Sequence, residues 1–184
     1  MKLNSYGTIF LYSERCFLRR FEYNDYLDVF SSYLSDKNVS KYLASDPHKN
    51  ILETRYLLNE FIKNYNNLNY YNWIIINKYN NDVIGTVSLH EIDLNNDKVE
   101  IGIIISSNYQ NKGYAKEVLN RVINFAFFDL NVHRIEAKVM INNYNSNKTF
   151  KSLGFIYEGT IHSCVKKNLK YYDVNLYCLI NPNN

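Results

Sequence analysis

The middle of the chain reads Ile103-Ile104-Ile105-Ser106-Ser107-Asn108-Tyr109-Gln110-Asn111-Lys112-Gly113-Tyr114-Ala115. An apolar, β-branched run typical of a buried strand ends at Ile105, and a short polar loop follows it. Beyond Gly113, apolar residues recur at steps of three and four as far as Leu130, which is the pattern of an amphipathic helix. This stretch therefore predicts a strand, a loop and a long helix packed against a sheet.

Further strands are predicted on both sides of this unit. Those before it are residues 16–21, 73–76 and 83–89, the strand within it is residues 99–105, and those after it are residues 134–139, 155–161 and 171–179. Besides the helix over residues 115–130, helices are predicted over residues 25–35, 50–66 and 143–153. This order combines antiparallel hairpins with one βαβ crossover, so the predicted class is α+β, a mixed α/β arrangement.

The composition is that of an ordinary globular domain. The chain has 184 residues, 46% of them hydrophobic, and residues 1–184 are expected to form a single domain with a sizeable core. A net charge of +3 is too mild to indicate a nucleic-acid binder. Cys16, Cys164 and Cys178 lack the spacing of a disulfide framework, and the four histidines are scattered, so no metal site is expected.

No membrane attachment is expected from the sequence. No apolar run approaches the ~20 residues of a membrane-spanning helix. The first six residues lack the apolar core of a signal peptide. We therefore expect a soluble, cytoplasmic protein.

The loop before the long helix has the features of an anion site. A helix N-terminus carries unpaired backbone N–H groups and the positive end of the helix dipole, which suits a pyrophosphate. Gly113 allows close approach of the backbone, Ala115 keeps the first turn uncrowded, and Lys112 adds a positive charge. A Walker loop and a dinucleotide-binding fingerprint are excluded, because the loop has a single glycine and it follows the lysine. On these grounds alone, a plain strand–loop–helix connection remains the alternative.

Several motifs give the chain a resemblance to a known family. The run Gln110-Asn111-Lys112-Gly113-Tyr114-Ala115 matches the pattern Gln/Arg-x-x-Gly-x-Gly/Ala, and so resembles the acyl-CoA pyrophosphate loop of the GCN5-related N-acetyltransferases (GNAT). The opening Ser13-Glu14-Arg15-Cys16-Phe17-Leu18-Arg19 is similar to that of the ribosomal-protein alanine acetyltransferase branch, the RimJ/RimL type. Later segments similar to that branch are Asn143-Tyr144-Asn145-Ser146, Ser152-Leu153-Gly154-Phe155 with Glu158-Gly159, and Lys170-Tyr171-Tyr172-Asp173 with Tyr177. The resemblance covers residues 9–180.

The resemblance implies a GNAT fold and an acetyl-CoA site. The fold has a central, twisted, mostly antiparallel sheet of about seven strands flanked by four helices, with a V-shaped opening between two central parallel strands. Backbone groups of Ile103 and Ile105 are expected to pair with the pantetheine arm. Those expected to hold the pyrophosphate are the N–H groups of Gln110, Asn111, Lys112, Gly113, Tyr114 and Ala115. Asn143 and Ser146 are expected to face the pantetheine and the sulfur, with helix capping as the alternative for both.

The chemistry implied by the family is direct attack of a neutral amine on the thioester. Because an alkyl amine has a pKa of about 10, a nearby group must take its proton. Glu100 is the candidate base, since it lies just before the CoA-contacting segment, with a surface or ion-paired role as the alternative. A backbone N–H between Ile103 and Ile105 is expected to hold the oxyanion.

One position departs from the pattern of many relatives. They have a tyrosine, four residues before the glycine of Leu-Gly-Phe, that protonates the leaving thiolate. Here Phe150 stands at that position and cannot donate a proton. Ser146, a water or another tyrosine must then donate the proton, or the thiolate leaves unprotonated. In the RimJ/RimL branch a serine is the proposed donor, and Ser146 stands at its position.

The expected function is an acetyl-CoA-dependent N-acetyltransferase that acts on a protein N-terminus or a small amine. It is expected to be a monomer or homodimer and to need no metal, nucleic acid or membrane. A polyamine or amino-sugar acceptor is the alternative within the family; a polyamine site needs carboxylates, for which Asp25, Asp28 and Glu53 are candidates. A non-catalytic acyl-CoA-binding module is the alternative from another class.

Overall fold

The strands of the chain form one mostly antiparallel sheet. The computed structural model describes residues 3–183, and its strands are β1 (Leu11–Tyr12), β2 (Cys16–Arg19), β3 (Tyr71–Asn77), β4 (Val83–Asp93), β5 (Lys98–Ile105), β6 (Arg134–Met140), β7 (Ile156–Lys167) and β8 (Lys170–Ile180). They lie in the order β1-β2-β3-β4-β5-β6-β8-β7. All neighbours are antiparallel except β5 and β6, which are parallel. The predicted class and the mostly antiparallel sheet are confirmed.

The helices are α1 (Tyr26–Val29), α2 (Lys37–Ser40), α3 (Ile51–Asn64), α4 (Tyr114–Asn124) and α5 (Tyr144–Ser152). α1 and α4 each continue into a π-helical turn, over Phe30–Leu34 and Phe125–Asp129. Within residues 3–183 there are eight strands and five α-helices, where seven and four were predicted. The additional elements, β1 and α2, have two and four residues, which is too short for a periodic hydrophobic pattern.

β5 and β6 separate along their length. Residues 98–100 pair with residues 134–136. Beyond that point β5 stays on β4 as far as Ile105, and β6 stays on β8 as far as Met140. No described residue pairs with the two edges that face each other there, so a V-shaped opening lies between the central parallel strands, as predicted.

Each face of the sheet carries an apolar core. α4 packs on one face, where Val118 and Val122 are fully buried. α1 and α3 pack on the other face, where Val29 and Leu58 are buried. Helices therefore cover both faces of the central strands.

Side chains of β5 alternate between the two faces. Val99 and Ile101 belong to the α4 core, whereas Ile104 packs against the core on the other face. Because alternate residues of a strand share a face, Glu100 and Gly102 lie on the same side as Ile104. The Glu100 side chain therefore faces the α1–α3 side of the sheet.

A bridge closes one side of the opening. Lys167, at the tip of the β7–β8 hairpin, donates hydrogen bonds to the backbone carbonyls of Leu43 (2.9 Å), Ser45 (3.2 Å) and Ser40. The hairpin and residues 40–46 are thereby joined across more than 100 residues of sequence. We call this contact the Lys167 bridge.

Candidate active site

A cavity of about 840 Å³ opens where β5 and β6 separate. Side chains from β4, β5, β6 and α5 line it, together with residues on both sides of the Lys167 bridge. Its volume lies within the range of small-molecule sites, about 300–1,000 Å³. The cavity is therefore large enough for the reacting ends of two small substrates.

The edge of β5 presents free backbone groups to the opening. Ser106 N donates to Ile84 O on β4 at 2.8 Å. Because successive residues of a strand direct their backbone groups to opposite edges, those of Ile103 and Ile105 point away from β4 and into the opening. An extended ligand can add to this edge as a strand would. The carbonyl of Ile105 also accepts a 2.9 Å hydrogen bond from Gln110 Nε2, which ties the following loop to the strand.

That loop ends at the N-terminus of α4. Gly113 precedes the helix with φ 84°, a left-handed conformation that favours glycine. The first N–H groups of a helix have no intrahelical acceptor. Among residues 3–183, no other acceptor bonds the N–H groups of Asn111, Lys112, Gly113, Tyr114 or Ala115. The N–H of Gln110, which was predicted to belong to this row, donates to Ser107 O at 3.4 Å instead. A row of free N–H groups at the positive end of a helix suits a phosphate.

Arg15 and Glu117 hold this loop in place. Arg15 Nε binds Glu117 Oε2 at 2.6 Å, its Nη1 donates to Lys112 O at 3.0 Å, and its guanidinium lies over the Tyr114 ring. Burial works to raise the pKa of Glu117, but hydrogen bonds from Ser13 and Arg15 outweigh it, so the pKa lies below its ordinary value. The pair spans about a hundred residues, so no local pattern indicated it.

Asn143 and Ser146 stand at the start of α5, and both line the cavity. Asn143 Oδ1 accepts from Ser146 N at 3.3 Å, so Asn143 is the helix cap. The Ser146 hydroxyl has no partner among residues 3–183. Phe150, one turn further on, lines the same cavity and is buried against Phe155 and Tyr177. The capping alternative therefore applies to Asn143 and not to the Ser146 side chain.

Glu100 lies where β5 and β6 stop pairing, and its side chain is only 13% exposed. Oε2 accepts a 2.6 Å hydrogen bond from Lys138 Nζ on β6, and Oε1 lies 3.4 Å from His90 Nε2 on β4. Burial works to raise the pKa of Glu100, but the contacts with His90 and Lys138 outweigh it, so the pKa lies below its ordinary value. The carboxylate is therefore ionised and paired at neutral pH.

The sequence analysis did not place His90 in the site. The structure puts it directly opposite Glu100 in the β4–β5 ladder and in the cavity wall. The two strands were predicted as consecutive elements, and pairing them as an antiparallel hairpin is the signal that could have brought the two segments together. A β-bulge between His90 and Asp93 then shifts the register by one residue, which the sequence pattern did not show.

The carboxylates considered for a polyamine lie elsewhere. Asp25, Asp28 and Glu53 do not line the cavity. Asp25 accepts two 2.7 Å hydrogen bonds from Arg19, and Glu53 accepts from the backbone N–H of Lys49 at the start of α3. Asp25 and Glu53 therefore stabilise the fold of the N-terminal segment.

Residues 3–183 contain no helix that is long and apolar enough to cross a bilayer. No group of three or more His, Cys, Asp or Glu side chains within this range could hold a metal ion.

The chain is similar to known acetyltransferases over most of its length. The family described as "Acetyltransferase (GNAT) domain" matches residues 15–156. A protein of Bacillus licheniformis named uncharacterized N-acetyltransferase p20 is 35% identical over 174 residues, which is 92% of this chain and 95% of that protein.

Solved structures of acetyltransferases have the same fold. Spermidine N-acetyltransferase from Vibrio cholerae, in complex with CoA and spermine, is 26% identical with a TM-score of 0.77, over 91% of this chain and 96% of that one. Ribosomal-protein-S5-alanine acetyltransferase from Vibrio fischeri has a TM-score of 0.83 over 95% of this chain and 98% of that one. Its 22% identity supports a likeness of fold alone.

Proposed function

The chain belongs to the GNAT acetyltransferase family, and on that premise we propose that it transfers the acetyl group of acetyl-CoA to a single primary amine. The amine is the α-amino group of a protein N-terminus or a small molecule with one amine. The enzyme is an acyltransferase, and we assign residues 1–184 to one such domain. The nucleophile is the neutral amine itself, which attacks the thioester directly.

One arrangement carries this proposal. Three features follow one another along β5 and its loop: the partly buried carboxylate of Glu100, the free backbone edge at Ile103 and Ile105, and the free N–H groups at Gly113. A ligand with a pyrophosphate at one end and an extended arm at the other fits this order. Its thioester end would then lie beside Glu100.

The residues present fit acetyl-CoA in detail. The N–H groups of Asn111 to Ala115 offer donors to the pyrophosphate, and Lys112 adds a positive charge. Asn143 and Ser146 face the arm from α5, across the opening. A Cβ at Gly113 would lie 3.3 Å from Arg15 Nη2, so glycine keeps the cradle open.

The remaining groups suit attack of the amine. A backbone N–H of the segment from Ile103 to Ile105 can stabilise the negative charge that develops on the carbonyl oxygen. The proton of the incoming ammonium group leaves towards the polar cluster around Glu100. Ser146 can donate a hydrogen bond to the leaving sulfur, whereas Phe150 cannot.

The charges of the cavity favour an amine with one positive group. The carboxylates in its wall are Glu91 and Glu100, and Lys138 neutralises Glu100. A polyamine needs several unpaired carboxylates to replace the water around its charges. Spermidine nevertheless stays the second candidate, because a relative named for that substrate has 26% identity.

A thiol-release assay with an acceptor panel tests the proposal. The panel contains a ribosomal-protein N-terminal peptide, an amino sugar, a primary monoamine and spermidine. We expect acetyl-CoA-dependent thiol release with a monoamine and a lower kcat/KM with spermidine. Binding of acetyl-CoA without turnover of any of these amines would indicate the non-catalytic module instead.

Glu100→Gln then tests the site. We expect turnover to fall by about 10²-fold or more with little change in acetyl-CoA affinity. Glu136→Gln is the matched control, because Glu136 lies in register with Glu100 on β6 but binds Arg134 and Lys98 outside the cavity. Equal losses in the two variants would contradict the assignment of the site to Glu100.

A further inference from the structure

His90 is a titratable side chain of the cavity that the reaction described above leaves without a role. Its Nε2 lies 3.4 Å from Glu100 Oε1, and its Nδ1 lies 3.4 Å from Ser88 Oγ. The side chain is 44% exposed and lines the cavity. Nε2 thus faces a carboxylate, and Nδ1 faces the Ser88 hydroxyl, which lines the cavity as well.

A bulge in β4 sets this position. Asp93 stands opposite Lys98 at the turn, and an unbroken ladder from there would put Glu91 opposite Glu100, with two carboxylates side by side. The bulge places His90 opposite Glu100 instead, and Glu91 takes the strained φ of 48°. The strand thereby replaces a like-charge pair with a carboxylate–imidazole pair.

Gly102 makes room for the imidazole ring. A Cβ at this position would lie 3.2 Å from His90 Cε1, so the ring lies over the backbone of β5, beyond Glu100. Ile103, the next residue, directs its N–H into the opening. The ring therefore lies between the carboxylate and the segment expected to hold the thioester.

We propose that His90, rather than Glu100, takes the proton from the attacking amine, with Glu100 as the positioning residue that orients the ring. This inference rests on the proposed function. In the tautomer that carries its proton on Nε2, beside Glu100, Nδ1 exchanges its contact with the Ser88 hydroxyl for a proton from the ammonium group, which leaves a neutral amine and an imidazolium. The amine then forms the C–N bond as the C–S bond breaks. The nitrogen loses its second proton and the leaving thiolate gains a proton. The imidazolium returns the first proton to solvent.

Glu100 is the weaker candidate for this step because its charge is already satisfied. Lys138 holds it at 2.6 Å, and its lowered pKa makes it a poorer base than an ordinary carboxylate. Imidazole, in contrast, gains and loses a proton near neutral pH. A carboxylate beside one imidazole nitrogen favours the tautomer in which the other nitrogen can accept a proton, as in hydrolase triads.

The charges around His90 set the sign of its response to mutation. The titratable groups that line the cavity with it are Glu91 on β4, Glu100 on β5, Lys138 on β6, Tyr71 on β3, and the phenols Tyr42 and Tyr70. Glu100 stabilises the imidazolium, and Lys138 opposes it. Glu100→Gln and Lys138→Met therefore change the charge beside the ring in opposite directions.

NMR spectra of the histidine ring protons, recorded at one fixed pH, test this pairing without turnover. The His90 signals are assigned by their loss in His90→Gln. We expect the chemical shifts of the His90 ring protons to change in both Glu100→Gln and Lys138→Met, because each variant removes a charge from the cluster beside the ring. His162, which pairs with Asp173 at 2.9 Å outside the cavity, is the internal control, and its signals should not move. His90 signals that stay unchanged in both variants would overturn the pairing.

Kinetics separates the two candidate bases. We expect His90→Gln to lower kcat by about 10²-fold and to flatten the pH dependence of kcat. In Glu100→Gln the base itself remains, so the pH dependence of kcat should keep its form at a lower rate. His90→Gln with wild-type kcat, beside an inactive Glu100→Gln, would return the base role to Glu100 and leave the proposed function intact. Absence of turnover with every amine in wild type would contradict the proposed function itself.

Discussion

Ser146 and Phe150 lie one helical turn apart on α5 and line the same cavity, yet the serine alone carries a hydroxyl. We expect Ser146→Ala to lower turnover about tenfold, because one hydrogen bond to the leaving sulfur contributes about 1–2 kcal/mol. Since Asn143 caps the helix, the substitution leaves the cap in place and should change the melting temperature little. Steady-state rates and thermal melts of the two proteins give both quantities.

Two variants on α5 complete this experiment. Ser152→Ala is the matched control, because its hydroxyl bonds only Thr149 O at the exposed end of the helix. Phe150→Tyr should not lower the rate, since the added hydroxyl can only supply a proton or stay idle. Unaltered turnover in Ser146→Ala would leave protonation of the thiolate to water.

Individual site residues differ in how far the sequence could predict them. Glu100, Ser146 and the loop at Gly113 belong to local patterns with fixed spacing, and all three border the opening. His90 and Lys138 reach Glu100 from neighbouring strands, 10 and 38 positions away in the chain. Contacts of that kind depend on strand register, which one bulge can change.

At the scale of elements, the N-terminus of α4 is the feature expected to bind the pyrophosphate. Gly113→Asp and Gly113→Asn have nearly the same shape, and both residue types tolerate a left-handed φ. We expect the aspartate variant to bind CoA at least tenfold more weakly than the asparagine variant, because only the former repels an anion. Isothermal titration with CoA measures both affinities. Equal affinities would mean that no pyrophosphate lies at this helix.

The β7–β8 hairpin gives a second expectation at this scale. Lys167→Met removes all the hydrogen bonds of the Lys167 bridge, so residues 40–46 should open more often and the KM for the amine should rise severalfold. The KM for acetyl-CoA should stay unchanged, because that substrate binds across the opening. Amide hydrogen exchange of residues 40–46 reports the local opening.

Lys170→Met is the matched control for the bridge, because Lys170 lies on the same hairpin without a contact to residues 40–46. If both variants leave hydrogen exchange and the KM for the amine unchanged, the bridge has no part in closing the acceptor side.

The amphipathic helices agreed with the sequence patterns more closely than the last strands did. α3, and α4 together with its π-helical turn, run close to their predicted limits, because three or four turns bury enough apolar residues to show a helical period. The last two strands are longer than predicted. β7 extends to Lys167 through exposed polar residues, where pairing with β8 and not burial keeps the chain extended.

At the scale of the whole molecule, acidic side chains paired across the fold set its response to pH. Arg134 on β6 binds Glu158 on β7 and lowers the pKa of Glu158 to about 2. Its pKa in the unfolded chain is higher, so the unfolded state binds more protons as the pH falls. This contribution is present above pH 4.5 and is lost between about pH 4.5 and pH 2.

We expect the free energy of unfolding, measured with urea, to fall over that pH range, and we expect Glu158→Gln to show a smaller fall. The difference between the two proteins should be about 0.2–1 kcal/mol, because solvent screens the pair. Glu14→Gln, at a carboxylate without an ion-pair partner in the described residues, is the control. Identical pH profiles for wild type and Glu158→Gln would show that the pair contributes nothing.

The sequence by itself determined the class of fold, the family and the position of the loop that we propose for acetyl-CoA. These properties follow from hydrophobic periodicity and from motifs of fixed local spacing. Both signals can be read directly from the sequence, because neighbours in sequence are neighbours in a helix or strand.

Tertiary structure alone decided the surroundings of Glu100 and the form of the acceptor side. Whether Glu100 is free or paired depends on which side chains the adjacent strands place beside it, and here they are His90 and Lys138. The Lys167 bridge and the pairing of Arg15 with Glu117 likewise join distant segments. The physical reason is that burial and strand register fix these contacts, and both depend on the packing of the whole chain.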